Sequence, residues 1–449
     1  MSFLTLFTIV IFLVTVISLL NERFFRIPND IALLLFSFTV CAVLKIIGIV
    51  FPSDGLLQAI DSLSDFSFES YLLDGVLCFM LFAGAGKVHF NKFTSNLKSI
   101  TLLSFLTTAL SAALFGALFY LASSAFGWNM DIWVCILLGC IVSPTDPIAA
   151  TGIMNKLGLS KNVTTVIESE SLFNDGMGVA LFVFIKSIVT NMGRENFALL
   201  MLREVLGAAA VAFAVSGLLL FLMKRSHKPF NHILISILAV SSIYVICEIC
   251  GFSGVIASVI CGMTFSYGME KMDRFLKVVD KDDMYSRFWD VIDGLLNSIL
   301  FVLIGLTVLR ITPSAAMLQT GIAAIIAVLI SRAVGVALPT AVSRTKKIPG
   351  GYSLTEYTVL MTWSALKGGL SLALVLSTQS ALPSATYTLL LNATYIIILF
   401  TVIVQGLTTK KYTEKSNSIK PTAYERRAIL IAHNNCGRRK NCRNTDTAS

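Results

Sequence analysis

The stretch "ESESLFNDG" (residues 168–176) runs straight into "MGVALFVFI" (residues 177–185). Three carboxylates, Glu168, Glu170 and Asp175, therefore lead into a segment apolar enough for lipid. A helix facing a bilayer does not carry unpaired charge, so acids at this depth must face the protein interior or a water-filled cavity. What surrounds them decides which.

The surroundings are oily. The chain has 449 residues, of which 55% are hydrophobic and only 14% charged, with a mean hydropathy of +0.80. A soluble domain carries about 25% charged residues. Apolar runs of about 20 residues, the length that crosses a bilayer, recur from end to end. The expectation is an all-α polytopic membrane protein: a membrane domain over residues 1–408 and a short basic tail over residues 409–449. The net charge of +9 fits cytoplasmic loops better than nucleic acid. The first apolar run has no basic flank and no small-residue cleavage site, which predicts a retained helix. Most of the cysteines lie in apolar segments, where they act as small hydrophobes. Cys247-x-x-Cys250 lacks a redox context, and Cys436 and Cys442 have no zinc-binding companions.

Thirteen spans are predicted, near 2–20, 30–51, 69–86, 99–126, 132–154, 166–191, 204–223, 231–249, 252–268, 288–309, 316–343, 354–378 and 385–408. With the C-terminus in the cytoplasm and the N-terminus outside, 28 of the 35 Lys and Arg fall in inside loops or the tail. Only Arg194, Arg203 and Arg310 fall outside, and Lys45, Lys186, Arg332 and Lys367 lie within spans. That asymmetry is the positive-inside pattern, which points to a multi-pass plasma-membrane protein. Residues 269–287 read either as a short amphipathic surface helix or as a solvated loop.

The fifth span contains "GCIVSPTDPIAATGI", in which Pro144 and Pro147 bracket Thr145 and Asp146. Each proline removes an amide donor and clashes one turn back, so two of them three residues apart open the helix there. Broken backbone survives in a membrane only where it is buried in protein or lines a cavity, and in transporters such carbonyls coordinate cations. Asp146 would stand at the positive end of the second half-helix. In the sixth span, helical periodicity gathers Ser171, Asn174 and Asp175 on one face. Asp175 lies about eight residues in, or ~12 Å, close to the midplane. A carboxylate there can hold either a proton or a small hard cation, with hydroxyl and carbonyl oxygens as companion ligands.

Two basic residues complete the set. Arg332 in the eleventh span needs a carboxylate partner, and Glu170 is the choice that leaves Asp175 unpaired. Lys367, in "TWSALKGGLSLAL" of the twelfth span, precedes Gly368-Gly369, a second helix break, and would offset a half-helix dipole there. Broken spans five and twelve differ by seven. Spans 1–6 and 8–13 then form two six-helix halves of opposite orientation, the plan of inverted-repeat secondary transporters with crossing discontinuous helices. Such residues demand no cofactor and no enzyme activity.

The motifs "SPTDPIAA", "ESLFNDG", "FWDVIDGLLNSILFVLIGL", "SRAVGV" and "WSALKGGLSLAL" occur in the order found in cation/proton antiporters of the NhaP and sodium/hydrogen-exchanger type, and the chain resembles that family from about residue 70 to 378. The resemblance implies a thirteen-helix fold, a homodimer, a transport core of spans 4–6 and 11–13 with the remaining spans as scaffold, and exchange of Na+ or Li+ for H+. It implies an ion site at Asp175, Asn174, Thr145, Asp146 and Ser171, and a structural pair between Glu170 and Arg332. Asn rather than Asp at position 174 implies electroneutral 1:1 exchange. One departure stands out. Many relatives carry a glutamate in the third span, where this chain reads "MLFAGAGKVHF" with Ala83 at that place, followed by Gly86 and Lys87. K+/H+ exchange at the same site is the alternative. An intramembrane serine protease built on Ser253 of "GFSGVIAS" is a reading of another class, but it would need a histidine nearby, and His232 lies about a membrane away.

Overall fold

In lipid no water satisfies the backbone, so every segment that spans must close its own hydrogen bonds. The computed structural model describes residues 3–51, 71–87, 90–146, 161–190, 197–226, 228–276, 282–310, 315–342 and 353–408. Among these residues there are helices and no strands. The helices are α1 (Phe3–Leu20), α2 (Asn29–Val50), α3 (Leu77–Gly86), α4 (Phe90–Phe126), α5 (Ile132–Val142), α6 (Lys161–Val189), α7 (Phe197–Met223), α8 (Pro229–Cys250), α9 (Gly254–Leu276), α10 (Asp282–Leu306), α11 (Ala315–Val342), α12 (Leu354–Trp363), α13 (Gly369–Leu376) and α14 (Ser384–Leu399). Short π-helical turns extend α1 and α14 and precede α3. Nine of the described helices are long and apolar enough to cross a membrane, and three more are apolar but shorter. The remaining predicted span, the twelfth, is the pair α12 and α13, so every one of the thirteen predicted spans has its helix.

Local chemistry sets many of the ends. The Asp131 carboxylate accepts from the Trp133 amide at 2.6 Å and starts α5, an N-cap that satisfies an otherwise orphaned donor. Ser353 and Glu356 form a reciprocal capping box at the start of α12. Gly251, at φ 69°, closes α8 in the left-handed conformation that glycine adopts without strain.

Residues 269–287 correct one expectation. Among the described residues they form no separate surface helix: α9 continues to Leu276 and α10 begins at Asp282, and residues 277–281 lie outside the described residues. Nothing from 269 to 276 interrupts the helical spacing of Met272, Phe275 and Leu276, so these residues extend α9 beyond its apolar part. The tail from residue 409, the second half of the fifth span and Pro147 lie outside the described residues.

Two large hydrophobic cores form among the described residues. The larger joins α1–α6 to α9, α10, α11, α13 and α14. The smaller lies between α3 and α7–α10, around Phe82, Phe265 and Trp289. Large apolar side chains such as Phe213, Leu218, Ile249 and Ile326 remain exposed on the outside, as lipid-facing positions should. What places the functional site is the close approach of α4 to α5. Gly139 on α5 lies against the Ala112 carbonyl, where any side chain would collide with backbone. This contact draws the end of α5 into the middle of the bundle.

Candidate functional site

The fifth and twelfth spans are both interrupted, and the interruptions meet. Helix α5 stops at Val142 and residues 143–146 belong to no helix; α12 stops at Trp363 and α13 starts only at Gly369. The Asp146 amide donates to the Leu366 carbonyl at 2.8 Å, joining one break to the other.

Each break exposes helix-terminal groups, and each is compensated by a charge from the other. The Lys367 ammonium donates to the carbonyls of Ser143 (3.0 Å) and Pro144 (3.1 Å). These lie at the C-terminal end of α5, where a cation offsets the partial negative charge. Lys367 thus serves α5 rather than its own half-helix. In the opposite sense, the Asp146 carboxylate lies against Gly368, the residue that caps α13. A methyl group on Gly368 would stand 2.6 Å from Asp146 Oδ2, so glycine is what lets this acid reach the N-terminal end of α13.

Helix α6 holds the segment in place. The Asn174 amide nitrogen donates to the Ser143 carbonyl and to the Thr145 hydroxyl, both at 3.2 Å, while its oxygen accepts from the Thr108 hydroxyl of α4 at 2.5 Å. Ser171 donates to the Thr145 carbonyl, and its oxygen lies 2.9 Å from the Thr145 hydroxyl. Carbonyls 143, 144 and 145, freed from helix by the break, are therefore all met by protein donors. Thr145, Ser171 and Asn174 are buried together, and Asn174 uses its amide to fix the break.

The three acids of the opening stretch separate. Glu170 forms an ion pair with Arg332 of α11, Oε1 to Nη2 at 2.8 Å, and both side chains are buried. Glu168 lies on α6, and its side chain is outside the described residues. Asp175 is buried as well, accepts from the Thr145 backbone, and has Asp146 as its like-charged and Lys367 as its oppositely charged neighbour. Among the described residues it enters no ion pair. It lines a cavity of about 60 Å³ together with Thr145, Asp146, Gly368 and Ser371. One water-sized particle needs about 10–15 Å³ on this measure, so the space holds a small cation with part of its hydration shell. The rest of the wall is mostly leucine.

Ser371 has no counterpart among the residues singled out by sequence. It sits in the apolar run "GLSLALVL", which reads as core. The third span contributes Gly84 to the cavity wall and no acid. Lys87, just past that span, instead pairs with Asp293 (2.7 Å) and Asp290 (3.2 Å) of α10. Burial pulls on its ammonium, but the two carboxylates outweigh that and hold its pKa above the ordinary lysine value. The protease reading fails on geometry. The Ser253 hydroxyl accepts from the Ile256 amide in the first turn of α9. His232 bonds to the Ser226 carbonyl at the far end of α8, roughly 30 Å away at 1.5 Å per residue.

Known proteins are similar to this chain over most of its length. The sodium/hydrogen exchanger transmembrane family model matches residues 42–415. The Na+/H+ antiporter NhaP of Pseudomonas aeruginosa is 32% identical over 415 residues, covering 88% of this chain and 92% of that protein. The Na+/H+ antiporter NhaG of Bacillus atrophaeus is 32% identical over 65% of this chain, which spans only 55% of that longer relative. A solved structure of the sodium proton antiporter MjNhaP1 from Methanocaldococcus jannaschii superposes with a TM-score of 0.72 over 92% of this chain and 99% of its own, at 19% identity. The chain belongs to the sodium/hydrogen exchanger family of membrane transporters.

Proposed function

We propose that the protein exchanges Na+ or Li+ for H+ across the plasma membrane by alternating access, with cation and proton competing for Asp175. One observation carries this. Asp175 is buried in the wall of the cavity between the two helix breaks, which Asp146 also lines, and enters no ion pair among the described residues. Glu170 is committed to Arg332, and Asp146 stands at the start of α13. With a single carboxylate left to titrate, one proton per cation is the simplest count, and the exchange is electroneutral. Thr145 and Asp146 lie beside the cation in the cavity, while Ser171 and Asn174 hold the Thr145 segment in position.

In this reading the core of spans 4–6 and 11–13 moves against the remaining spans, which provide the interface of a homodimer. The distribution of Lys and Arg favours an external N-terminus and a cytoplasmic residue 409–449 tail. The physiological role that fits is control of internal pH and sodium.

Inverted membrane vesicles carrying the protein test the proposal. Added Na+ or Li+ should dissipate an imposed pH gradient, and Asp175→Asn should abolish the response. Normal exchange by the variant would remove Asp175 from the site. Dissipation by K+ with none by Na+ or Li+ would keep the mechanism but change the cation.

A further inference from the structure

We infer that the Ser371 hydroxyl is a direct ligand of the transported cation and sets the affinity of the site. This rests on the assignment of the Asp175 cavity as the exchange site and adds a ligand from the facing broken helix.

Ser371 is 1% exposed and lines the cavity that Asp175, Thr145 and Asp146 also line. Its hydroxyl oxygen is fully buried and has no hydrogen-bond partner among the described residues. Ser104 and Ser216 are also buried without a partner among the described residues, but a serine in a helix commonly bonds to a carbonyl three or four residues back. Ser37, Ser258 and Ser377 of this chain all do so. Ser371 does not, for a reason built into the fold. It is the third residue of α13, so the carbonyls three and four positions back belong to Gly368 and Lys367, in the non-helical break. The break that opens the twelfth span thereby releases this hydroxyl from the backbone.

A buried hydroxyl without a partner is destabilising unless something meets it. The wall beside it is apolar, with Leu172 and Leu300 among its members, and the third span adds Leu77, Met80, Leu81 and Gly84 but no polar side chain. A small hard cation held by Asp175 would meet it. Such ions take neutral oxygens together with carboxylates. The cation would then bridge α6 and α13, with charge from one side and a dipole from the other.

The test compares wild-type protein with Ser371→Ala and Ser371→Cys in vesicles, using Na+ and Li+ as probes and normalising to the amount of protein. Sulfur fills the space of the hydroxyl but is a poor ligand for hard cations. Both variants should raise the KM for Na+ about tenfold, the scale of one lost dipole to a charged group, with kcat within about twofold of wild type. Recovery of the wild-type KM by Ser371→Cys would show that the position only fills volume and would overturn the inference. So would an unchanged KM in both variants, or a loss confined to kcat. Absence of exchange by the wild type with either cation would instead refute the proposed function itself.

Discussion

Among single residues, Glu170 and Asp175, five positions apart on α6, differ because of what stands opposite each. Glu170 and Arg332 neutralise one another in a buried pair at 2.8 Å. Removing one partner of such a pair typically costs about 3–5 kcal/mol, because the remaining charge is left uncompensated, whereas replacing both is often nearly neutral. Arg332→Met and Glu170→Gln should therefore each lower the thermal midpoint of the detergent-solubilised protein more than the double variant does. A double variant as unstable as the sum of the singles would deny the coupling. Asn174, which the family resemblance places at the ion site, bonds through its side-chain amide to Thr108, Ser143 and Thr145. No periodicity could show this, since two of the three partners belong to the unwound segment.

The helices teach a related lesson. Both interruptions are legible, because Pro144 and the Gly368-Gly369 pair announce themselves in otherwise continuous apolar runs. Which charge serves which half-helix is not. Sequence proximity assigns Asp146 and Lys367 to their own helices, while the crossing gives Lys367 to the end of α5 and brings Asp146 to the start of α13. Ser371 escapes for the complementary reason: its neighbours are apolar, and only the absence of a helical carbonyl behind it sets it apart. The exchange of charges hinges on Gly368. Gly368→Ala would place a methyl group 2.6 Å from Asp146 Oδ2, closer than real contacts allow, and push the carboxylate away from α13. Transport in vesicles should fall by at least about tenfold, since misplacing a site group by ~1 Å costs rate on the order of a hundredfold in comparable settings. Wild-type transport by this variant would mean that Asp146 has no need to reach α13.

At the level of the whole molecule, the described helices fall where the thirteen spans are predicted, nine of them long and apolar enough to cross a membrane, because bilayer thickness and backbone satisfaction leave a chain this apolar few alternatives. The meeting of the two breaks is set by long-range packing, above all the α4–α5 approach at Gly139, which a single sequence does not display. The proposed charge count is a property of the assembled site: with Glu170 paired and Asp146 set against α13, the proposal leaves Asp175 as the carboxylate that trades ions. Exchange in proteoliposomes should accordingly run at the same rate whether the membrane potential is clamped at zero or at 100 mV. A change of severalfold would reveal net charge movement, which is worth about 2.3 kcal/mol per charge at that potential. The competition itself is seen most directly in the protons released when Na+ is added to the purified protein, measured by calorimetry in buffers of different ionisation enthalpy toward the acidic end of its active range. The account predicts close to one proton released per Na+ bound, and none from Asp175→Asn. Na+ binding without proton release, or undiminished release from the variant, would contradict it.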